Sequence, residues 1–190
     1  MRSPWDRLLR GVVLALALPL TPGCLVVSVH PTQDRESLVF DPALLGVWQD
    51  AEDNAALRIE RGEWQSYRIR YELPIESGEV TGHLSAIGKA RYLDLMPAKG
   101  QDHGAFLVPV HVTLRVELDT DRLVVTGLSY DWFLEQLRKK GVPGLSVVLD
   151  DKENALIVSP TSAVRSWLGR QPPDGQMFGA SATFTRKPGG

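Results

Sequence analysis

The chain has 190 residues, of which 43% are apolar and 23% charged, so it is neither a disordered chain nor a multi-span membrane protein. The formal net charge is -2 without a basic cluster, which argues against a nucleic-acid partner. The single cysteine excludes an intramolecular disulfide and a metal site built from several cysteines.

The first 23 residues have the parts of a secretory signal. Arg2, Arg7 and Arg10 make the start basic, residues 11–20 form an uncharged apolar run, and small residues follow. The run is too short to span a bilayer as a helix, which takes roughly 20 apolar residues. We therefore interpret residues 1–23 as a signal peptide, whose removal leaves a net charge of about -4.

The end of this leader, Gly23-Cys24, resembles the lipobox of bacterial lipoprotein signals, in which a small residue precedes an obligatory cysteine. The resemblance implies cleavage before Cys24 and a diacylglyceryl thioether on its sulfur. Two or more acyl chains give stable anchoring, because each buried methylene contributes about 0.8 kcal/mol. Leu25 rather than Asp after the cysteine implies the outer membrane, with the protein facing the periplasm. The lipid bilayer is therefore the predicted partner of Cys24.

The segment after Cys24 divides into an apolar and a polar part. Residues 25–29 are apolar and β-branched, which fits either a membrane-proximal segment or a first strand. Residues 31–37 are polar and typical of a tether. Since no Pro/Gly/Ser-rich linker splits the rest, we predict a lipidated tether over residues 24–40 and one domain over residues 41–190.

Alternation of apolar and polar residues predicts strands through the first half of this domain. A period of two places successive side chains on opposite faces of a strand. Gly82 and Gly88 interrupt one such run, which indicates a bulge or a tight bend. The strands predicted there lie near residues 57–59 and over residues 67–72, 80–86 and 92–96.

Residues 106–118 carry the clearest strand signal of the chain. The apolar residues on the predicted dry face are Phe106, Val108, Val110, Val112, Leu114, Val116 and Leu118. The other face, which includes His111, is predicted to be mostly wet, as in an antiparallel sheet or barrel. His83 of an earlier strand is likewise predicted to face solvent.

Helices and strands are both predicted in the second half. Ser129 is a typical helix N-cap and predicts a helix over residues 130–140, and a second short helix follows Pro160. The predicted strands are residues 123–128, 145–149, 155–158 and 177–187. Eight to ten short strands favour a mainly β, antiparallel sandwich or barrel with two short helices in the C-terminal half.

Gly46-Val47-Trp48, where the first strand of the domain begins, resembles the Gly-x-Trp of lipocalin-like proteins. The resemblance implies a lipocalin-like, calycin-type β-barrel in which Trp48 closes one end beneath a basic residue of the last strand, Arg186 or Lys187. We predict a structural cap of Gly46, Trp48 and Arg186, although a plain core position explains Trp48 equally well. The mature chain also resembles poorly characterised bacterial lipoproteins with such a domain.

The sequence offers little for catalysis. The four histidines are too far apart along the chain for a local metal signature. Asp102-His103 forms a carboxylate–imidazole pair of a kind that is common by chance. No Gly-x-Ser-x-Gly motif exists, and lipidation accounts for Cys24. We therefore expect no enzyme, no catalytic residue, no cofactor and no metal.

Two functions remain open at this stage. The first is a membrane-anchored envelope lipoprotein whose barrel binds a small apolar ligand or a lipid. The alternative is a structural or interaction lipoprotein with a filled barrel, which contacts an envelope protein and binds no ligand. Gly82 and Gly88 leave room for a ligand, whereas Tyr67, Tyr71 and Phe106 favour filling.

Overall fold

The computed structural model describes residues 25–50, 54–74, 76–98, 108–151, 153–172 and 175–188. The predicted signal peptide, Cys24, Phe106 and the pair Asp102-His103 lie outside these residues. The strands are β1 (Val26–Ser28), β2 (Gly46–Gln49), β3 (Ala56–Arg61), β4 (Ser66–Glu72), β5 (Ser77–Ile87), β6 (Ala90–Pro97), β7 (Val112–Leu118), β8 (Arg122–Leu128), β9 (Val147–Leu149), β10 (Ala155–Ile157) and β11 (Phe178–Arg186). The helices are α1 (Tyr130–Lys139) and α2 (Thr161–Gly169), and Pro42–Leu44 forms a 3-10 turn.

Eight strands close into an antiparallel barrel, in the order β2-β3-β4-β5-β6-β7-β8-β11, with β11 pairing back onto β2. Neighbours in the chain are neighbours in the barrel from β2 to β8, as in an antiparallel meander. The helices and strands β9 and β10 lie between β8 and β11 in the chain, whereas β1 precedes the strands of the barrel. The predicted mainly β, antiparallel barrel with two short helices is therefore confirmed.

The predicted alternation places side chains as expected on β4. Tyr67 and Ile69 are buried in the barrel, while Arg68 and Arg70 on the opposite face are exposed. Arg70 pairs outside with Glu79 of β5, with Nε 2.9 Å from Oε2. One face of this strand is therefore dry and the other solvated.

Side chains of the barrel strands, together with Leu44 of the 3-10 turn and Ala55 just before β3, fill the barrel interior. The buried cluster there comprises Leu44, Trp48, Ala55, Ile59, Tyr67, Ile69, Leu84, Leu93, Val116, Leu123, Ala182 and Phe184. A Cβ atom added at Gly82 would lie 2.8 Å from Cδ1 of Ile69 and 3.1 Å from Cδ1 of Leu93. The expectation that Gly82 leaves room for a ligand is therefore wrong, because neighbouring side chains occupy that space. Gly88 lies in the turn between β5 and β6 with a φ of 62°, a conformation that favours glycine.

A second hydrophobic core lies between the barrel wall and the two helices. Phe133 of α1 and Trp167 of α2 pack edge to face, with ring centroids 5.8 Å apart. Ile87, Tyr92 and Phe178 belong to the same cluster and are contributed by barrel strands. Ser129 caps α1 as predicted, with Oγ accepting a hydrogen bond from the Trp132 amide. Both helices are therefore fastened to the outside of the barrel.

A small sheet of three strands, in the order β1-β10-β9, accompanies the helices. The antiparallel pairing of β9 with β10 confirms the predicted strand pair. β1 pairs with β10 in parallel, from Val26 opposite Ala155 to Ser28 opposite Ile157. Residues 25–29 were predicted to be either a membrane-proximal segment or a first strand, and the structure shows a strand over Val26–Ser28.

Residues 29–41, which we call the strap, run across the outer wall of the barrel. Thr32 is fully buried, and Leu38 forms a β-bridge with Ser85 of β5. Arg165 of α2 holds the strap with Nη1 2.6 Å from Ser37 Oγ and Nε 3.0 Å from Asp34 Oδ2. The tether predicted here is therefore not seen as a free segment, because its polar groups bind the barrel wall and α2.

The strand predicted over residues 106–118 is shorter than expected, and its two faces are not uniformly dry and wet. It begins at Val112, and the side chains of Val108 and Val110 are 69% and 37% exposed. Val116 faces the interior as predicted. His111, however, is buried, so the prediction of a wet face is wrong at this position. The cause is β1, since Ser28 forms a β-bridge with His111 and covers this part of the wall.

Among the described residues, neither helix has the length and apolar character needed to cross a membrane.

Candidate functional site

The three predicted cap residues meet at one end of the barrel. Trp48 is fully buried, and its Nε1 donates a hydrogen bond to the Leu44 carbonyl at 2.9 Å. The guanidinium carbon of Arg186 lies 4.1 Å from the centroid of the Trp48 ring. Arg186 also donates to the backbone carbonyls of Ala43 and Leu45. The guanidinium thus connects the last strand to the 3-10 turn and covers the indole.

Gly46 is the third member of this group and has a specific reason to be glycine. Its φ is 132°, a conformation that side chains rarely adopt. A Cβ atom at this position would lie 2.8 Å from Nη1 of Arg186. A larger residue would therefore be strained and would also displace the guanidinium from the indole. Lys187, the other basic residue considered, instead donates its backbone amide to the Val47 carbonyl.

A polar cluster that the sequence did not predict lies on the outer wall. His83 of β5 is directly opposite Asp94 of β6, and His111 precedes β7. Asp94 has no exposed surface, and His111 Nδ1 donates to its Oδ1 at 2.6 Å. A buried carboxylate needs several such partners, since an unpaired buried charge is very costly. Burial of the Asp94 carboxylate is therefore stable only while the strap, which covers the cluster, supplies further hydrogen bonds.

Thr32 of the strap supplies the remaining partners of Asp94. Its backbone amide and its hydroxyl both donate to Oδ2 of Asp94, at 2.6 and 2.8 Å. Each oxygen of the carboxylate is thus satisfied, one by the strap and one by His111. The pairing fixes the strap at the centre of the barrel wall and removes Asp94 from contact with water.

His83 is the member of the cluster with an unsatisfied atom. Its Nδ1 is buried and has no hydrogen-bond partner among the described residues. Burial lowers the pKa of His83, against the opposing effect of nearby Asp94, and His111 lowers it further. His83 is therefore predisposed to be a neutral imidazole, whose ring nitrogen can donate or accept a hydrogen bond with an added group.

A surface groove with a volume of 490 Å³ runs along the outer wall beside His83. The residues that line it are Gly62, Glu63, Trp64, Ser66, Tyr67, Arg68, Glu79, Thr81, His83, Met96, Pro97, Ala98 and Pro109. Small-molecule sites have volumes of roughly 300–1,000 Å³ and combine apolar walls with a few polar groups. We take this groove, outside the barrel, as the candidate binding site.

Trp64, at the edge of this groove, is unusual in its exposure and in its backbone conformation. Its side chain is 94% exposed, and its φ of 58° lies in the left-handed region. A bulky residue in that region is a genuine outlier, and such residues concentrate at functional sites. Nothing in the alternation of β3 and β4 indicated it, because Trp64 lies in the turn between them.

Metal ligation is a separate matter. No group of three or more His, Cys, Asp or Glu residues suited to a metal ion occurs in the described part of the chain. In the cluster under the strap, the carboxylate oxygens of Asp94 are already used by Thr32 and His111. The arrangement can therefore orient an imidazole, but the oxygens that a cation would require are engaged.

In comparisons with known proteins, no family model, no curated protein and no solved structure matches this chain. The closed antiparallel barrel of eight strands is consistent with a lipocalin-like fold. The class of protein defined by the fold is thus a β-barrel able to bind a ligand, and any finer assignment depends on the chain's own residues.

Proposed function

We propose that this chain is a bacterial envelope lipoprotein, anchored by acyl chains on Cys24, whose lipocalin-like barrel binds a small amphipathic ligand. Its place is the outer membrane, facing the periplasm, as the lipobox-like Gly23-Cys24 and the following Leu25 favour. The 490 Å³ groove supports the binding role. Catalysis forms no part of the proposal.

The ligand is assigned to the groove because the interior of the barrel is packed. Trp48 and Tyr67 have no exposed surface, and Leu84 is buried with them. Packed interiors have few voids larger than a water molecule, so a ligand there would have to displace core side chains. The outer wall has no such obstacle, since the groove opens on one side to solvent.

The charges of the groove indicate what kind of ligand fits. Arg68 and Glu79 lie across the strand pair, with Nε 3.9 Å from Oε1, so they offset one another. Burial favours the neutral form of His83 by lowering its pKa. Met96 and Trp64 supply apolar surface. Glu63 also lines the groove and is exposed, so the wall selects for apolar contact and hydrogen bonds and disfavours an anionic ligand.

Binding is tested by native mass spectrometry of the protein purified from its own host. We expect a bound small molecule in the parent protein and its loss from a Trp64→Ala variant. Trp64 is exposed, so this substitution leaves the fold intact. Val158→Ala, at an exposed position outside the groove, is the matched control and should retain the ligand. A parent protein with no bound molecule, or equal occupancy in both variants, would contradict the assignment.

Anchoring is tested separately with a metabolic fatty-acid probe in cells. The wild-type protein should carry the label and fractionate with the outer membrane, whereas Cys24→Ala should carry none. An unlabelled wild-type protein would refute the lipoprotein assignment and leave the groove untouched.

One observation favours the alternative, an interaction lipoprotein with a filled barrel and no ligand. Tryptophans in this degree of exposure are often anchors of protein interfaces, where a few aromatic residues supply most of the affinity. If this alternative is correct, a photo-crosslinking residue at position 64 should capture one defined envelope protein in cells. If the same position at physiological expression captures nothing, the alternative fails.

A further inference from the structure

The described part of the chain begins immediately after the proposed acylation site. The Leu25 carbonyl accepts a hydrogen bond from the Ala155 amide at 2.9 Å, and the Leu25 amide donates to Asn154 Oδ1 at 3.3 Å. Cys24 precedes Leu25 in the sequence, and neighbouring Cα atoms are only about 3.8 Å apart. Acyl chains on Cys24 would therefore leave the protein beside the turn between β9 and β10.

The same end of the small sheet exposes apolar side chains. Across the sheet, Val26 is opposite Ala155, and Ala155 is opposite Leu149. Because strands are about 4.8 Å apart, Leu149 lies roughly 10 Å from Val26. Leu149 is 45% exposed, on a strand that pairs on one side only in the described sheet. The exposed apolar surface at Leu149 therefore lies close to β1, the strand that follows the proposed acylation site.

Helix α1 extends this surface. A shallow groove of 300 Å³ between the helix and the turn is lined by Tyr130, Leu134, Leu137, Arg138, Leu149 and Glu153. Leu134 and Leu137 are half-buried, and Arg138 and Lys139 occupy the last turn of the helix. An apolar strip with basic residues at its edge is typical of surfaces that lie in the membrane interface.

We propose that this surface, the anchor face of Leu134, Leu137, Arg138 and Leu149, rests against the lipid headgroups and holds the barrel in one orientation. The proposal rests on acylation of Cys24, which belongs to the proposed function. The bilayer is the occupant because the described residues begin at Leu25, directly after the proposed acylation site and beside this face. Arg138 can extend its charged end to the headgroups while its methylenes contact apolar surface.

The charges around the anchor face indicate how the contact is stabilised. Asp151 and Glu153 are exposed in the β9–β10 turn and offset Arg138 and Lys139. An electrostatic contact would require an excess of basic residues and anionic lipid. The contact is therefore held by the acyl chains and apolar side chains, so added salt should leave it unchanged. The candidate binding groove shares no lining residue with this face.

The test uses the full chain, processed and lipidated in cells and reconstituted in zwitterionic vesicles that carry nitroxide headgroup lipids. One fluorophore is attached at Leu149→Cys and, in a second protein, at Trp64→Cys; both positions are exposed. We expect lipid quenching to be several-fold stronger at position 149 than at position 64, at low and at high salt. Equal quenching at the two positions in lipidated protein would overturn the fixed orientation.

A linker variant provides the matched control. Ten Gly/Ser residues inserted between Cys24 and Leu25 span about 17 Å on average. The barrel then stays attached to Cys24 but is free to move away from the bilayer and to rotate. Quenching at position 149 should then fall to the level at position 64. Mass spectrometry separates the two ways to fail. A protein without acyl chains refutes the proposed anchoring and with it the orientation, whereas an acylated protein without a quenching difference refutes only the orientation.

Discussion

Thr32 and Asp94 are 62 residues apart in sequence, yet two donors of Thr32 converge on a single oxygen of the fully buried Asp94 carboxylate. Hydrogen bonds to a charged acceptor are about twice as strong as neutral ones. The pair therefore fastens the strap to the barrel. It also links the N-terminal segment, where the proposed anchor lies, to the strands that carry the candidate binding groove.

Replacing Thr32 by Val tests the strength of this attachment. Valine keeps the shape but removes the hydroxyl, so the Asp94 carboxylate loses one of its three hydrogen bonds in a buried site. We expect the free energy of unfolding in urea to fall by about 1–3 kcal/mol.

Thr183→Val is the control for the Thr32 substitution, because Thr183 is exposed on β11 and should change stability by less than about 0.5 kcal/mol. Equal effects of the two substitutions would show that the strap adds nothing through this hydroxyl.

The pH dependence of the free energy of unfolding should show the effect of burying His83. Because the pKa of His83 is lower in the folded chain, the unfolded chain binds more protons once the pH falls below about 6.5, and stability declines from there. His83→Gln should reduce the loss of unfolding free energy between about pH 7 and pH 5. Asp94 and His111 face His83 and remain in the variant.

His30→Gln is the matched control, since it makes the same change of residue type at an exposed position of the strap. A profile that is identical in all three proteins would mean that burial of His83 has no thermodynamic effect.

The strands and helices were predictable because their signals are local. Alternation located β4, and the side chains of Tyr67 and Ile69 point inward as the period of two requires. Ser129 located the start of α1 through its capping hydroxyl. The resemblance of Gly46-Val47-Trp48 to a lipocalin motif led to a lipocalin-like barrel, and the structure has a closed antiparallel barrel of eight strands.

The outer wall was not predictable, because the segments that cover it come from distant parts of the chain. His111 follows the polar phase of its strand, and only the pairing of Ser28 with it makes the position dry. β1 and β10 are separated by more than 120 residues, and no local pattern reports a parallel pairing of that range. Asp94 between Leu93 and Leu95 was the available signal, a carboxylate within an apolar strand.

The end of the barrel gives a prediction about Arg186. Arg186→Met removes the cation above Trp48 and leaves the carbonyls of Ala43 and Leu45 without this donor, so stability should fall by about 1–3 kcal/mol. Arg186→Lys keeps the charge but not the planar fork, and should recover only part of the loss.

Thermal or urea unfolding measures the effect at Arg186, and exposed Arg122 of β8, changed to Met, is the control. The structural role of Arg186 would be contradicted if both Met variants unfold at the same denaturant concentration.

Gly82→Ala distinguishes a filled barrel from a spacious one by the sign of its effect. In open space the substitution should stabilise by about 0.4–1 kcal/mol, because alanine has less conformational freedom in the unfolded chain. Here the new methyl group would lie 2.8 Å from Ile69 Cδ1, and both Ile69 and Leu93 are held by the core, so we expect a loss of about 1–3 kcal/mol. Gly127→Ala meets its nearest atom at an ordinary 3.7 Å and should be neutral or stabilising. If Gly82→Ala stabilises the protein in urea as Gly127→Ala does, the interior has room, and the ligand belongs inside the barrel rather than in the groove.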